Sequence, residues 1–331
     1  MKTVLNMNRR GFLKMAGAVA AIGTAGALSV PRTSEAGEGK IATLIDLTRC
    51  NGCTDRATPA CVSACKKIKA GRLPEPVDPI PLPFPTRKIE DWSKKKDVSN
   101  RLTPYNLIYI QKADVDIGGD KKTVFIPRRC MHCDNPACAT LCPFAANHKF
   151  ENGAVVIDPD VCFGGAKCKT VCPWEIPQRQ SGIGVYLKVL PTFMGNGVMV
   201  KCDLCSDLLK GGKPPACIEV CPQKAMTIGP RKEIYAKAEA LAMKIGGYLY
   251  GKRENGGTST LYVSPVPFDR LDAAIRKGPG EPALGAVKRQ MAGTDTMGKA
   301  VLAAPAIGIA AGVAGAFALV SKRKDRIKKE G

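Results

Sequence analysis

Fifteen cysteines carry most of the chemistry this chain can offer, and they fall into four groups. Cys50, Cys53, Cys61 and Cys65 come first, in "CNGCTDRATPACVSAC", and Cys130, Cys133, Cys138 and Cys142 follow in "CMHCDNPACATLCP". The stretch "CFGGAKCKTVCPW" holds Cys162, Cys168 and Cys172, and "CDLCSDLLKGGKPPACIEVCP" holds Cys202, Cys205, Cys217 and Cys221. Each group opens on C-x2-C or a remnant of it and ends on C-x3-C, with Pro after the last cysteine in all but the first. Fifteen is an odd number, so disulfides alone would strand one thiol. Four groups in one grammar mean four related sites, and thiolates at such spacings are soft metal ligands.

Spacing narrows the choice of metal. A C-x2-C turn points successive thiolates into one concave space with backbone N–H groups beside them, and C-x3-C sets its last thiolate one helical turn away, on another site. The closing Pro stops the chain turning back over that thiolate. This is the C-x2-C-x2-C-x3-C-P run that binds iron–sulfur clusters. Zinc is the rival, since paired C-x2-C halves also make tetrahedral sites, but zinc does not call for a trailing C-x3-C-P. The third group departs from the run at one point, where Gly165 occupies the place of a thiolate.

Short elements must position such loops. "KIATLIDLTRC", "TVFIPRRC" and "GAVVIDPDVC" each put a β-rich run just ahead of a cysteine group, while "PACATLCP" and "PACIEVCP" read as single helical turns. Lys232 to Gly246 reads as a longer helix, and the segment after it, with Gly256 and Gly257 between β-rich runs, as a hairpin or an extended stretch. The Pro-rich Leu73 to Pro85 is a linker or an arm held on the surface. With 5% aromatics against 34 Gly and 25 Pro in 331 residues, something besides side-chain packing organises the fold.

The two ends predict where the chain works. Residues 1–36 pair Arg9 with Arg10 ahead of an Ala/Gly-rich run and small residues, the pattern of a twin-arginine signal for export of folded proteins. Residues 300–321 include twenty uncharged positions from Val301 to Val320, enough for one transmembrane helix, in which Ala304, Gly308, Gly312 and Ala316 form a stripe suited to a membrane partner. The basic tail, 322–331, then stays in the cytoplasm and everything between signal and helix lies on the periplasmic side. The net charge of +21 raises the question of nucleic acid, but export and the scarcity of stacking aromatics argue against it.

Over residues 40–232 the repeated spacing resembles the four-cluster ferredoxin-type subunits of respiratory oxidoreductases: formate dehydrogenases, nitrate and dimethyl sulfoxide reductases, and membrane hydrogenases. With the signal, "KCDLC" at Lys201 to Cys205, "GGTSTLYVSPVPFDRL" and one C-terminal helix, the chain is most similar to the iron–sulfur subunits of hydrogenase-2-type complexes. The resemblance implies an α+β fold of tandem ferredoxin-like domains over 37–235, an extension over 236–299, and the C-terminal transmembrane helix. It implies that Cys50, Cys53, Cys61 and Cys221 share one cluster and that Cys65, Cys202, Cys205 and Cys217 share a second. Cys130, Cys133, Cys138 and Cys172 would share a third, leaving Cys142, Cys162 and Cys168 as three thiolates on a fourth. In the related nitrate reductase subunit a Trp takes the place equivalent to Gly165 and the site holds [3Fe-4S]. By that likeness Gly165 determines the cluster type, giving three [4Fe-4S] and one [3Fe-4S]; four [4Fe-4S], one with a non-cysteine ligand, is the alternative.

The implied role is electron transfer between the small and large subunits of a hydrogenase and an integral membrane quinone-reactive subunit of polysulfide-reductase type. A molybdenum or tungsten enzyme such as formate dehydrogenase is the other possible partner, and a zinc-stabilised periplasmic adaptor is the alternative of a different class. His132 reads as a hydrogen-bond donor beside a cluster rather than a ligand, His148 as a surface residue, and Trp174 and Phe144 as shields against water. No Ser/His/Asp set, phosphate loop or carboxylate pair marks a catalytic site of the chain's own.

Overall fold

A computed structural model describes residues 39–191 and 194–293. The signal sequence expected over 1–36, the transmembrane helix expected over 300–321 and the tail expected over 322–331 lie outside these described residues. Among the described residues no helix is long and apolar enough to cross a membrane.

Ten strands are short and mostly sit beside cysteines: β1 (Ile41–Asp46), β2 (Tyr109–Ile117), β3 (Asp120–Arg128), β4 (Asn147–Lys149), β5 (Val155–Ile157), β6 (Gln178–Gln180), β7 (Val198–Val200), β8 (Met226–Pro230), β9 (Tyr248–Tyr250) and β10 (Thr260–Ser264). The α-helices are α1 (Ala60–Lys69), α2 (Ala137–Thr140), α3 (Lys167–Thr170), α4 (Val185–Val189), α5 (Ser206–Lys210), α6 (Ala216–Glu219), α7 (Arg231–Lys244) and α8 (Phe268–Ala274). The expected α+β mixture is thus present, with the cysteine groups on loops, on single helical turns and, for Cys61 and Cys65, on the longer α1.

One four-stranded sheet, in the order β8-β1-β10-β9, anchors the rest. β1 pairs antiparallel with β8 and parallel with β10, and β10 pairs antiparallel with β9, the hairpin expected after the long helix. Strand alternation divides its side chains between two faces. Ala42, Leu44, Leu261 and Val263 meet Ile234 and Ala238 of α7, while Ile45 and Tyr262 face the main core, which also contains Cys61, Cys65, Cys130, Cys162, Cys202 and Cys217. Two strands after residue 235, β9 and β10, are therefore woven into the same sheet as β1.

β2 and β3 form a hairpin closed by Gly118 and Gly119, whose φ values of +65° and +93° suit a two-residue turn that only glycine enters freely. β4 pairs with β5 and β6 with β7 as small hairpins. The Pro-rich stretch is an arm held on the surface. Val77 donates its N–H to the Gly182 carbonyl at 2.9 Å, and the Asn196 side chain bonds both the N–H (2.9 Å) and the C=O (2.6 Å) of Phe84.

Candidate metal centres

Two turns recur in the cysteine groups, the first in all four and the second in three. The first is a helical turn started by the residue before it: the Pro59 carbonyl accepts the N–H groups of Val62 and Ser63, Pro136 those of Ala139 and Thr140, and Pro215 those of Ile218 and Glu219. Proline suits the start of a helix because its missing N–H would have no partner there. In the third group Ala166, at φ +59°, takes this place and accepts from Lys169 and Thr170. The turn carries the C-x3-C pair, so Cys61/Cys65, Cys138/Cys142, Cys168/Cys172 and Cys217/Cys221 each sit one turn apart.

The second turn follows the closing Pro. Ala145, Glu175 and Lys224, all with φ between +45° and +52°, donate their N–H groups back to the carbonyls of Cys142 (3.2 Å), Cys172 (2.9 Å) and Cys221 (3.0 Å). Pro is well suited to the second position of such a turn, and it ends the helix after one turn. Cys65 has no Pro after it, and α1 runs on to Lys69.

Thiols from different groups meet. Cys50, Cys53, Cys61 and Cys221 line one cavity. Burial, with neighbouring thiols adding to it, pushes Cys50 up to about 11 and raises Cys61. The seven residues between Cys53 and Cys61 do not keep Cys61 from that cavity. Cys65 lies among Cys202, Cys217 and Cys205, and burial followed by their charges raises it. Cys133 lies among Cys130, Cys172 and Cys138 and is raised well above the ordinary thiol value, again by burial first. Cys172, close to Cys138 and Cys130, is pushed up by burial to about 12. Cys162 neighbours Cys142, and Cys168 neighbours Cys162. Between sets, Cys61 is near Cys217, Cys130 near Cys202, and Cys168 near Cys138. The four sets therefore follow one another in series.

The donor set suits a polynuclear anionic group. Among the described residues no three His, Cys, Asp or Glu side chains converge closely enough to hold a single metal ion. A zinc site with Zn–S bonds of about 2.3 Å requires that convergence. Buried cations stand beside the thiols: Arg129 is 1% exposed and Lys201 4% exposed. Arg129 Nη1 is 3.9 Å from Cys202 Sγ, while its Nε and Nη2 have no hydrogen-bond partner in the protein. Burial works against the charge on Lys201, but the neighbouring sulfurs of Cys130, Cys138 and Cys202 outweigh it and raise its pKa. Such cations are costly to bury unless negative charge accompanies them, and thiolate-bound iron–sulfur clusters provide it. Raised thiols also mean that a metal must displace their protons on binding.

His132 is fully buried and sits between two sets. Its Nδ1 accepts the Val155 N–H at 3.0 Å, which in the neutral ring puts the proton on Nε2, 3.7 Å from Cys202 Sγ. Burial, then the charges of Lys201 and Arg129, hold its pKa well below the usual imidazole value, so the ring is neutral. Its placement fits a donor beside a thiolate. His148 is partly buried on β4, edge-on to Phe150. Trp174 is 2% exposed, whereas Phe144 is 51% exposed and stacks on Phe163 at 4.0 Å, so only the Trp is shut away from water.

The Gly164–Gly165 pair divides its duties. Gly164 is buried at φ +62°, and a Cβ there would strike the backbone of Asn196 and Gly197. Gly165 is exposed, and a Cβ there would meet nothing within 4 Å.

Sequence reasoning missed the part played by the extension. Asn255 hydrogen-bonds the Cys133 thiol, Ser259 donates its N–H to the His132 carbonyl at 2.9 Å, and Thr260 Oγ1 donates to the Cys130 carbonyl at 3.3 Å. It also missed Arg129 and Asp203. Asp203 bridges Lys69 Nζ (2.7 Å) and Arg72 Nη1 (3.2 Å) at the end of α1 and accepts the Cys205 N–H at 3.0 Å, aligning Cys65 with the fourth group. A basic residue just ahead of the first cysteine, in both "RRC" and "VKC", was the available signal.

Comparison with known proteins agrees with this architecture. Two family models described as 4Fe-4S dicluster domains match residues 49–146 and 121–231. The chain is 30% identical, over 80% of its own length and 83% of the relative's, to the hydrogenase-2 operon protein HybA of Escherichia coli O157:H7. It is 41% identical over 113 residues to the B subunit of the anaerobic dimethyl sulfoxide reductase of Escherichia coli K12, covering 34% of its own length and 49% of that relative's.

Proposed function

This protein belongs to the HybA-type family of ferredoxin-type iron–sulfur electron-transfer subunits of respiratory oxidoreductases, and from that premise we propose that it relays electrons between a hydrogenase catalytic dimer and a quinone-reactive membrane subunit. When bound, iron–sulfur clusters supply the one-electron carriers. Cys50, Cys53, Cys61 and Cys221 hold one [4Fe-4S], Cys65, Cys202, Cys205 and Cys217 a second, and Cys130, Cys133, Cys138 and Cys172 a third. Cys142, Cys162 and Cys168 hold a [3Fe-4S], Gly165 supplying no fourth thiolate. The observation that carries this reading is the serial arrangement of the four thiol sets, which offers an electron a continuous succession of sites. The protein's own part is to keep water from the thiols by burial and to balance their charge with Arg129 and Lys201.

The same proposal assigns residues 1–36 to a twin-arginine signal, 236–299 to an extension bracing the cluster region, 300–321 to a single membrane span and 322–331 to a cytoplasmic tail. The cluster-bearing region then works in the periplasm. The likeness to a dimethyl sulfoxide reductase subunit keeps a second partner class in view, a molybdenum or tungsten oxidoreductase. Purification of the full-length protein in mild detergent under anaerobic conditions tests the choice. Brown protein with about fifteen iron atoms per chain, carrying hydrogenase large and small subunits, is the expected result. A molybdenum or tungsten enzyme bound instead would replace the hydrogenase, and colourless zinc-loaded protein would overturn electron transfer altogether.

A further inference from the structure

Cys202 is where residues of two cysteine groups cross. From the second group, His132 directs Nε2 at Cys202 Sγ from 3.7 Å and Arg129 directs Nη1 at it from 3.9 Å. The Leu204 N–H adds a third donor at 3.4 Å. In the same loop the His132 backbone N–H reaches Cys130 Sγ at 3.4 Å, so one residue touches a sulfur on either side of the boundary. The exchange is reciprocal: Lys201, next to Cys202, bonds the Val155 carbonyl and acts on Cys130 and Cys138 of the second group. Val155 in turn gives its N–H to His132 Nδ1, fixing the ring's direction.

Hydrogen bonds to sulfur and nearby positive charge favour the reduced, more negative state of a cluster, and so raise its potential. The geometry points to His132 and Arg129 as positioning residues that raise the reduction potential of the cluster held through Cys202, and thereby set the driving force for electrons crossing between the two pairs of sites. This rests on the electron-transfer reading above, and on Cys202 and Cys130 serving different clusters.

The test is an EPR-monitored redox titration of the full-length protein, purified anaerobically with its bound subunits, with the relevant signal identified by its loss in Cys202→Ser. His132→Leu keeps bulk and removes the donor; one [4Fe-4S] midpoint is expected to move to a more negative potential while iron content and the other midpoints stay put. His132→Gln, which can still donate an N–H, is expected to recover much of the shift. Arg129→Met is expected to move the same midpoint in the same direction. Iron-replete His132→Leu and Arg129→Met proteins with unmoved midpoints would overturn the inference. So would equal loss of iron in His132→Leu and His132→Gln, which marks a purely structural role. Wild-type protein devoid of iron is a different failure, because it removes the electron-transfer reading itself.

Discussion

Trp174 donates its indole N–H to the Tyr250 hydroxyl at 2.8 Å, and Tyr250 donates its own O–H to the Gly285 carbonyl, also at 2.8 Å. These two bonds in succession tie the turn after Cys172 to β9 and to the segment beyond α8, with both aromatic side chains buried. Burial pushes the Tyr250 hydroxyl well above its ordinary pKa, so it remains a donor throughout the working range of pH. A residue of the extension thus completes the covering of the third cysteine group.

Tyr250→Phe removes both bonds while keeping the ring that packs on Phe268 at 5.0 Å. The Trp174 N–H and the Gly285 C=O are left without partners, at a cost of about 1–3 kcal/mol. The expected outcome is a lower thermal midpoint and faster bleaching in air of the iron–sulfur absorbance. An unchanged midpoint would mean that water reaches Trp174 and takes the hydroxyl's place.

Asp203 is the second long-range tie. Its side chain is 6% exposed, and it holds Lys69 and Arg72 against the loop of Cys202 and Cys205. Asp203→Ala leaves two partly buried cations without their carboxylate, a loss of about 3 kcal/mol. Asp203→Asn keeps the acceptor for the Cys205 N–H and is expected to retain more iron than Asp203→Ala, as judged by metal analysis of purified protein. Equal iron in the two would assign the role to charge alone.

How far these ties can be read in advance depends on their range. The single helical turns at Ala137–Thr140 and Ala216–Glu219 are legible because a Pro starts each one and another Pro ends it. α7 is legible from its length and composition, and β1, β3 and β5 from β-rich runs ahead of cysteines. β2 was missed, although Gly118-Gly119 marks its turn into β3. Spacing alone groups the cysteines but is silent on which groups share space; the pairing of the first with the fourth came from resemblance. Asn255 and Thr260 were beyond reach because their bonds to the Cys130–Cys133 loop join residues more than a hundred positions apart, with no local pattern to announce them.

Gly52 makes a local prediction within the first group. It lies between Cys50 and Cys53 at φ +69°, its N–H bonds the Cys50 thiol, and a Cβ there would enter the Phe125 ring. Left-handed backbone costs a residue other than glycine about 1–2 kcal/mol, and the clash adds to it. Gly52→Ala is expected to lose one [4Fe-4S] cluster in iron analysis, and Gly52→Ala with Phe125→Leu to regain part of it. A single variant with full iron would show that the loop adjusts without strain.

Gly165 gives the sharpest prediction because the structure sets no steric bar against it. Its backbone lies outside the left-handed region, and the position of a Cβ is open to solvent with nothing within 4 Å. Gly165→Cys therefore restores C-x2-C-x2-C-x3-C-P, with Cys162, the new thiol, Cys168 and Cys172 in register, and needs no movement of the neighbouring Gly164, whose own contacts forbid a side chain. Mildly oxidised wild-type protein is expected to show a [3Fe-4S] EPR signal that the variant lacks, with iron rising from about fifteen to about sixteen per chain. The open space beside Gly165 also admits a water-ligated fourth iron, and the two cases separate cleanly. Wild-type protein with about sixteen irons and no [3Fe-4S] signal would assign the site to a four-iron cluster with a non-cysteine ligand, and Gly165→Ala would then leave the iron count unchanged.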